Sequence, residues 1–138
     1  MPIDNQHRNY LGKVNAKYID SAGIVFHKIS VDSNSYLNQL IYQNPDVASI
    51  HHQSIHKLGK DFKISALSID GKIIEAIEST LYKNIYGVQF HPEIAELYDP
   101  NITFVTPNNF NFKLNESSLK FHKLFWANFS ERLKNQKL

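Results

Sequence analysis

The 138-residue sequence predicts one α/β domain, in which a small mixed sheet packs against a helix at the C-terminus. Residues 62–69 alternate apolar and polar side chains, as a strand with one buried face does, and Asp70-Gly71 then predicts a tight turn into a partner strand. Residues 118–134 instead carry apolar side chains at the three- and four-residue spacing of a helix. A chain of this length buries roughly two-thirds of the surface that it exposes when unfolded, which is enough for a core.

The segments before the hairpin predict three short elements after a polar start. Residues 1–22 are weakly patterned and predict a loop or arm, whereas residues 23–31 are rich in β-branched side chains and predict a strand. Residues 35–43 predict a short helix that ends before Pro45, because the residue before a proline avoids the helical region. The apolar face of that helix consists of Leu37, Leu40 and Ile41. Residues 47–50 predict a buried strand.

The segments after the turn predict two strands, a long loop and the helix. Residues 72–78 form the second hairpin strand, since a two-residue turn needs positive φ at both central positions and Asp-Gly tolerates it. Residues 86–90 predict another strand, and residues 99–116, rich in asparagine and proline, predict a long surface excursion. The final helix should pack through Phe121, Leu124, Phe125, Trp126, Phe129 and Leu133. His122 is expected at the boundary of that face.

Composition excludes several classes of protein. The net charge of +2, with scattered basic residues, does not indicate a nucleic-acid partner. No apolar run approaches the roughly 18 residues that span a membrane, and the first ten residues have no apolar core of a signal peptide. The sequence contains no cysteine, so it forms no disulfide and has no thiol nucleophile of its own. These observations favour a cytoplasmic protein.

The strand at 86–90 runs directly into His91-Pro92-Glu93. Alternate residues of a strand share a face, so His91 and Glu93 are expected side by side where Pro92 ends the pairing. A carboxylate next to an imidazole fixes its tautomer and stabilises the imidazolium, which is how a general base is oriented in nucleophilic catalysis. The spacing alone also fits a surface ion pair at the end of a strand.

The residues around this pair carry a family resemblance. GVQFHPE, which ends at Glu93, resembles the signature that closes class I glutamine amidotransferase domains. Upstream, IHHQSIHKLGKDFKISALSIDGKIIEAIES is similar to the segment before that signature in the γ-glutamyl-γ-aminobutyrate hydrolase-like peptidases. His27 resembles a histidine that begins a strand in that branch, and His7-Arg8 resembles a further, shorter match. The resemblance covers roughly residues 5–98 and resumes in the C-terminal helix.

The resemblance implies a fold and a set of roles. The chain would be a truncated domain over residues 1–138, the C-terminal portion of a flavodoxin-like glutamine amidotransferase domain. His91 would be the general base and Glu93 its orienting acid, while His52 and Gln53 would help to hold the γ-glutamyl group. In such enzymes a cysteine on a strand-to-helix elbow attacks the γ-glutamyl amide and needs no cofactor. That elbow belongs to the N-terminal half of the family's domain, which we expect to be missing here.

Two other kinds of chemistry have partial motifs in this sequence. His52 and His56 have the spacing of the zinc-protease helix motif, but Gln53 stands where that motif needs a glutamate, and no third ligand is evident. Ser49 and Ser54 lie near histidines without a G-x-S-x-G elbow. We therefore predict no metal ligands, no cofactor and no serine nucleophile.

Three functions stay open on the sequence. The chain could be one piece of a divided γ-glutamyl hydrolase, for which a separate polypeptide supplies the cysteine. It could instead be a non-catalytic remnant that binds a partner or a metabolite, or a degraded gene product. If neighbouring strands are missing, an exposed sheet edge and an uncovered apolar face invite association. We therefore also expect the isolated chain to self-associate or to need a partner.

Overall fold

The computed structural model describes residues 13–15, 24–40, 44–51, 53–105 and 111–135. The described strands are β1 (Lys13–Asn15), β2 (Val25–Val31), β3 (Asp46–Ser49), β4 (Phe62–Ser68), β5 (Ile74–Ser79), β6 (Tyr86–Val88), β7 (Thr103–Val105) and β8 (Asn111–Phe112). They form a five-stranded sheet in the order β3-β2-β4-β5-β6 and a three-stranded sheet in the order β1-β7-β8. The strand pairings described are antiparallel. With the helix described below, they confirm the α/β class and the five strands predicted within residues 23–90.

The smaller sheet corrects two predictions. Residues 1–22 contain strand β1, and the supposed surface excursion at 99–116 contains β7 and β8. Phe104 in β7 is buried, and the Phe26 ring stacks on the Phe112 ring with centroids 4.2 Å apart. Between the many asparagines and prolines of residues 99–116 lie apolar side chains that form a second core with β2. Because β1 pairs with β7 across about ninety residues, no local pattern could reveal that pairing.

The hairpin forms as predicted, but its turn is wider than two residues. The Gly71 N–H donates to the Ser68 C=O at 2.8 Å, and the Ser68 N–H donates to the Ile73 C=O at 2.9 Å, so four residues lie between the closing pair. Within this turn, only Gly71 has a positive φ, of 74°. Side chains fill the turn, because the Ser68 hydroxyl donates to Asp70 Oδ1 at 2.6 Å and accepts from the Ile73 N–H at 3.0 Å. These hydrogen bonds favour the wider turn over the two-residue form.

Helix α1 (Glu116–Lys134) closes the chain and packs on the five-stranded sheet. Asn115 caps it, since its side-chain oxygen accepts from the Ser118 N–H at 2.8 Å. Phe121 and Phe125 are buried as predicted, but Leu133 is 54% exposed, because the packed face ends before the last turn. Among the described residues, no helix is both long and apolar enough to cross a membrane. The predicted helix at 35–43 is a 3₁₀ helix over Tyr36–Leu40 that buries Leu37 and Leu40, and Ile41 lies outside the described residues.

Helix α1 also covers the outer edge of β3. The Asp46 N–H donates to the Ser118 hydroxyl at 2.9 Å, and His122 Nε2 donates to the Asp46 C=O at 3.2 Å. His122 is therefore a fully buried residue and not the boundary residue that the sequence indicated. The Ala48 C=O on the same strand accepts from the His91 N–H at 2.9 Å. Two positions of this edge are thus closed to another strand, while self-association through other surfaces stays a prediction.

Burial of His122 makes the stability of the fold depend on pH. Desolvation lowers the pKa of its imidazole from 6.5 to about 4, against a weaker opposite effect of its hydrogen bond to Asp46. The unfolded state therefore binds a proton in a range where the folded state does not. The contribution of neutral His122 to the free energy of unfolding is complete above about pH 6.5 and is lost as the pH falls toward about 4. The loss amounts to about 3 kcal/mol.

We expect the stability advantage of the wild-type chain over His122→Gln to shrink by about 3 kcal/mol between about pH 7 and about pH 4. The measurement is urea unfolding of both proteins at a series of pH values. The comparison with the variant is needed because the pKa of Glu75 is raised to about 7, and its effect on stability runs in the opposite direction. A difference that does not change with pH would contradict the prediction.

Candidate active site

Residues 89–91 are fixed by backbone hydrogen bonds to two strands of the large sheet. The Gln89 N–H donates to the Glu75 C=O on β5 at 2.8 Å, and the His91 N–H donates to the Ala48 C=O on β3 at 2.9 Å. Phe90 between them is buried in the core. Regular alternation ends at Val88, so His91 and Glu93 do not meet as residues of one strand face. They meet because Pro92 and Glu93 form a turn.

Two side chains hold that turn through one carbonyl group. The Pro92 C=O accepts from the Tyr98 hydroxyl at 2.6 Å and from the Trp126 indole N–H at 2.7 Å. Burial raises the pKa of Tyr98 above its usual value of 10, so its hydroxyl stays protonated and able to donate at neutral pH. The sequence indicated only that Trp126 widens the packed face of α1. A half-buried indole N–H nevertheless needs a hydrogen-bond acceptor, so a tryptophan on the packed face of α1 already indicated a contact of this kind.

The turn brings the imidazole of His91 and the carboxylate of Glu93 into contact. His91 Nδ1 and Glu93 Oε1 are 2.6 Å apart. An ionised carboxylate only accepts hydrogen bonds, so Nδ1 donates, and in the neutral imidazole Nε2 carries the lone pair. The His91 side chain is 35% exposed and that of Glu93 is 55% exposed. Nε2 is therefore the atom available to take a proton from a group outside.

An open cleft of about 410 Å³ lies beside this pair. One side is formed by the segment from Tyr86 to Glu93, and the other by the α1 side chains Phe125, Trp126 and Phe129. Part of the aromatic face that the sequence assigned wholly to the core is thus a wall of this cleft. The arrangement can bind a small molecule or a protein segment next to an oriented imidazole.

Comparison with known protein families identifies the family to which the chain belongs. The sequence model of the peptidase C26 family matches residues 4–93, which is more than half of the chain and ends at Glu93. The chain belongs to the peptidase C26 family. Membership confirms the resemblance to class I glutamine amidotransferase-like proteins, and the chain is a glutamine amidotransferase-like protein in that sense.

Individual relatives with similar sequences support the assignment to this family. A protein of Rickettsia prowazekii (strain Madrid E), named as glutamine amidotransferase-like, is 44% identical over 72 residues, which cover 51% of this chain and 25% of that protein. GMP synthase [glutamine-hydrolyzing] of Dictyostelium discoideum is 35% identical over 95 residues, which cover 64% of this chain and 13% of that protein. The chain thus spans about a quarter or less of the length of these relatives. A solved structure from Thermoplasma acidophilum, described as that of a GMP synthase subunit, superposes with a TM-score of 0.44 at 20% identity, covering 90% of this chain and 53% of that one.

Of the two residues predicted to hold substrate in this C26 protein, the described structure places only Gln53. His52 lies outside the described residues. Gln53 is exposed, its backbone C=O accepts from His51 Nδ1 at 2.8 Å, and it is not among the described residues that line the cleft. The assignment of both residues to γ-glutamyl binding therefore stays a prediction.

The fold also assembles a buried polar cluster that sequence reasoning missed. His27 on β2, His51 after β3 and Glu75 on β5 each offer a ligand atom, and these atoms all lie within 4.8 Å of one another. Desolvation raises the pKa of Glu75 to about 7, and the charge of Asp70 adds to this shift. The signals in the sequence were that His27, the HHQ stretch that begins at His51 and the EAIE segment belong to the family resemblance.

Proposed function

We propose that this chain supplies the general base and its orienting acid to a divided glutamine amidase of the Cys-His-Glu type. His91 is the base and Glu93 its orienting acid, and the nucleophilic cysteine and oxyanion hole come from a separate polypeptide. The observation that carries this proposal is a hydrogen-bonded, accessible His-Glu pair in a sequence without cysteine. By itself the chain is expected to be inactive.

The proposed reaction uses His91 Nε2 twice. First Nε2 takes the proton of the partner's cysteine thiol, and the thiolate attacks the carbonyl carbon of a γ-glutamyl amide. The imidazolium, stabilised by Glu93, then gives that proton to the leaving nitrogen, so that ammonia or an amine departs and a thioester forms. Water next loses a proton to Nε2 and attacks the thioester. Glutamate is released and the thiol recovers its proton from His91.

The substrate class rests on the family and on the names of relatives. The family resemblance is to peptidases that cleave γ-glutamyl amides, and the Dictyostelium relative is named as glutamine-hydrolyzing. A γ-glutamyl amide is a small polar molecule whose amide carbon must come within about 3–3.5 Å of the nucleophile. Glutamine is therefore the first substrate to test, and γ-glutamyl derivatives of other amines come second.

Reconstitution tests the proposal. The chain is mixed with a polypeptide that carries a G-x-C-x-G elbow, preferably one encoded next to it, and ammonia release from glutamine and amine release from γ-glutamyl-p-nitroanilide are measured. We expect neither protein alone to hydrolyse these compounds and the mixture to do so, with a thioester that hydroxylamine traps. A mixture that forms a stable complex but stays inactive toward γ-glutamyl compounds would show that the proposal is wrong.

A further inference from the structure

The cluster of His27, His51 and Glu75 lies inside the protein and is separate from the His91–Glu93 pair. The side chains of His27 and His51 are 8% and 7% exposed, and that of Glu75 is fully buried. Glu75 Oε1 is 3.4 Å from His27 Nε2 and 3.9 Å from His51 Nε2. Two imidazoles and one carboxylate thus converge on one small volume from β2, from β5 and from the segment after β3.

Backbone carbonyls orient both imidazoles toward this volume. His51 Nδ1 is 2.8 Å from the Gln53 carbonyl oxygen, and His27 Nδ1 is 3.3 Å from the Lys28 carbonyl oxygen. A carbonyl only accepts hydrogen bonds, so in each ring Nδ1 donates, and in a neutral ring Nε2 is left with its lone pair. A backbone acceptor on the outer ring nitrogen is the usual arrangement around a histidine that ligates a metal.

The negative charge of the buried Glu75 carboxylate favours a positive charge at the centre of the cluster. A buried carboxylate is costly unless it is paired, and across the described residues neither oxygen of Glu75 accepts a hydrogen bond. Protons on the imidazoles or a bound cation would balance this charge.

We propose that His27, His51 and Glu75 form a binding site for a divalent transition-metal ion, with zinc as the ion that the site fits best. Two histidine nitrogens and one carboxylate oxygen are a zinc ligand set, whereas magnesium and calcium prefer oxygen ligands alone. Zinc ligands about 2.0–2.2 Å from the ion lie about 3.3 Å from one another in a tetrahedral site. Two of the three separations between the ligand atoms, 3.4 and 3.9 Å, are close to that spacing and all three lie within 4.8 Å, so side-chain movements would complete the geometry.

Such an ion would stabilise the segment that leads to His91. It joins β2, the segment after β3 and β5, and the backbone C=O of Glu75 accepts from the N–H of Gln89, two residues before His91. The proposed site does not depend on the proposed hydrolase activity, because its ligands take no part in that reaction.

The test is metal binding by the full chain in the absence of any substrate. The protein is stripped with a chelator and titrated with Zn²⁺ and Co²⁺, and bound metal is measured by mass spectrometry and by the visible absorption of Co²⁺. We expect one ion per chain, an intense tetrahedral-type Co²⁺ spectrum and a rise in Tm of about 5 °C or more with Zn²⁺. A wild-type chain that binds neither ion would overturn the proposal and leave protons as the balancing charge.

Single substitutions locate the site. We expect Glu75→Gln and His27→Gln each to weaken Zn²⁺ binding by at least about tenfold, since even loss of an outer partner of a ligand costs 10–100-fold. The matched control is His56→Gln, because His56 is exposed and belongs to the other histidine pair that has metal-like spacing. Unchanged binding by His56→Gln supports the buried site, whereas loss of binding only in His56→Gln would move the ion to the 52–56 segment and refute the proposal. If a cluster variant fails to fold, the wild-type Co²⁺ spectrum and the His56→Gln titration still decide the question.

Discussion

Replacing His91 with alanine is expected to lower the turnover number of the reconstituted hydrolase by about 10³–10⁴-fold, which corresponds to about 4–5.5 kcal/mol of transition-state stabilisation. The reason is that Nε2 both activates the nucleophile and protonates the leaving nitrogen, so one truncation removes the acid and the base. The KM for glutamine should change little, because His91 contributes proton transfer and not ground-state binding in this mechanism. The measurement is steady-state ammonia release by the chain mixed with its cysteine-bearing partner.

Glu93 should show a smaller loss of the same kind. Glu93→Gln keeps the size of the side chain but removes the charge that stabilises the imidazolium, so we expect turnover to fall by about 10²-fold or more. His56→Gln is the control, since it removes another exposed histidine outside the cleft and should leave turnover unchanged. If His91→Ala retains wild-type turnover in a complex of normal affinity, the pair is not the catalytic base and its orienting acid.

The strands of the large sheet and helix α1 could be predicted because their signals are local. Alternation over 62–69, β-branched residues over 23–31 and helical spacing over 118–134 each lie within one segment of the chain. The contact between His91 and Glu93 was predictable too, because only Pro92 separates the two residues and a proline interrupts the strand there. Its geometry was less predictable, since the contact depends on the turn at Pro92 and Glu93 and not on continued strand alternation.

Features that depend on distant pairing were not predictable in the same way. Strand β1 pairs with β7 across about ninety residues. Each of the two strands lies in a polar segment whose sequence, taken by itself, resembles that of a loop. His122 is buried because its side chain meets the backbone of Asp46, which a helical pattern around residue 122 does not contain. The His27, His51 and Glu75 cluster likewise combines residues from three segments, each of which is unremarkable for metal binding alone. Only the fold places these groups together.

Replacing Phe121 with alanine is expected to destabilise the chain by about 3–5 kcal/mol, the typical loss for a fully buried phenylalanine. Phe121 is 1% exposed, and its ring centroid is 5.9 Å from that of Phe90 and 6.5 Å from that of Phe125. It therefore joins helix α1 to the residue directly before His91. Since small domains are stable by only about 5–15 kcal/mol, this one truncation removes a large part of the total. Urea unfolding followed by far-UV circular dichroism measures the loss.

Leu133→Ala provides the matched control on the same helix. Both substitutions remove an apolar side chain from α1, but Leu133 is 54% exposed and touches little that could be lost. We expect its effect on the free energy of unfolding to stay within about 0.5 kcal/mol, because truncations at exposed sites rarely cost more. Equal losses at the two positions would mean that the end of α1 is covered in solution, as self-association through its exposed apolar residues would produce. The dependence of the Leu133→Ala loss on protein concentration separates that cause from intramolecular packing, since only association makes stability depend on concentration.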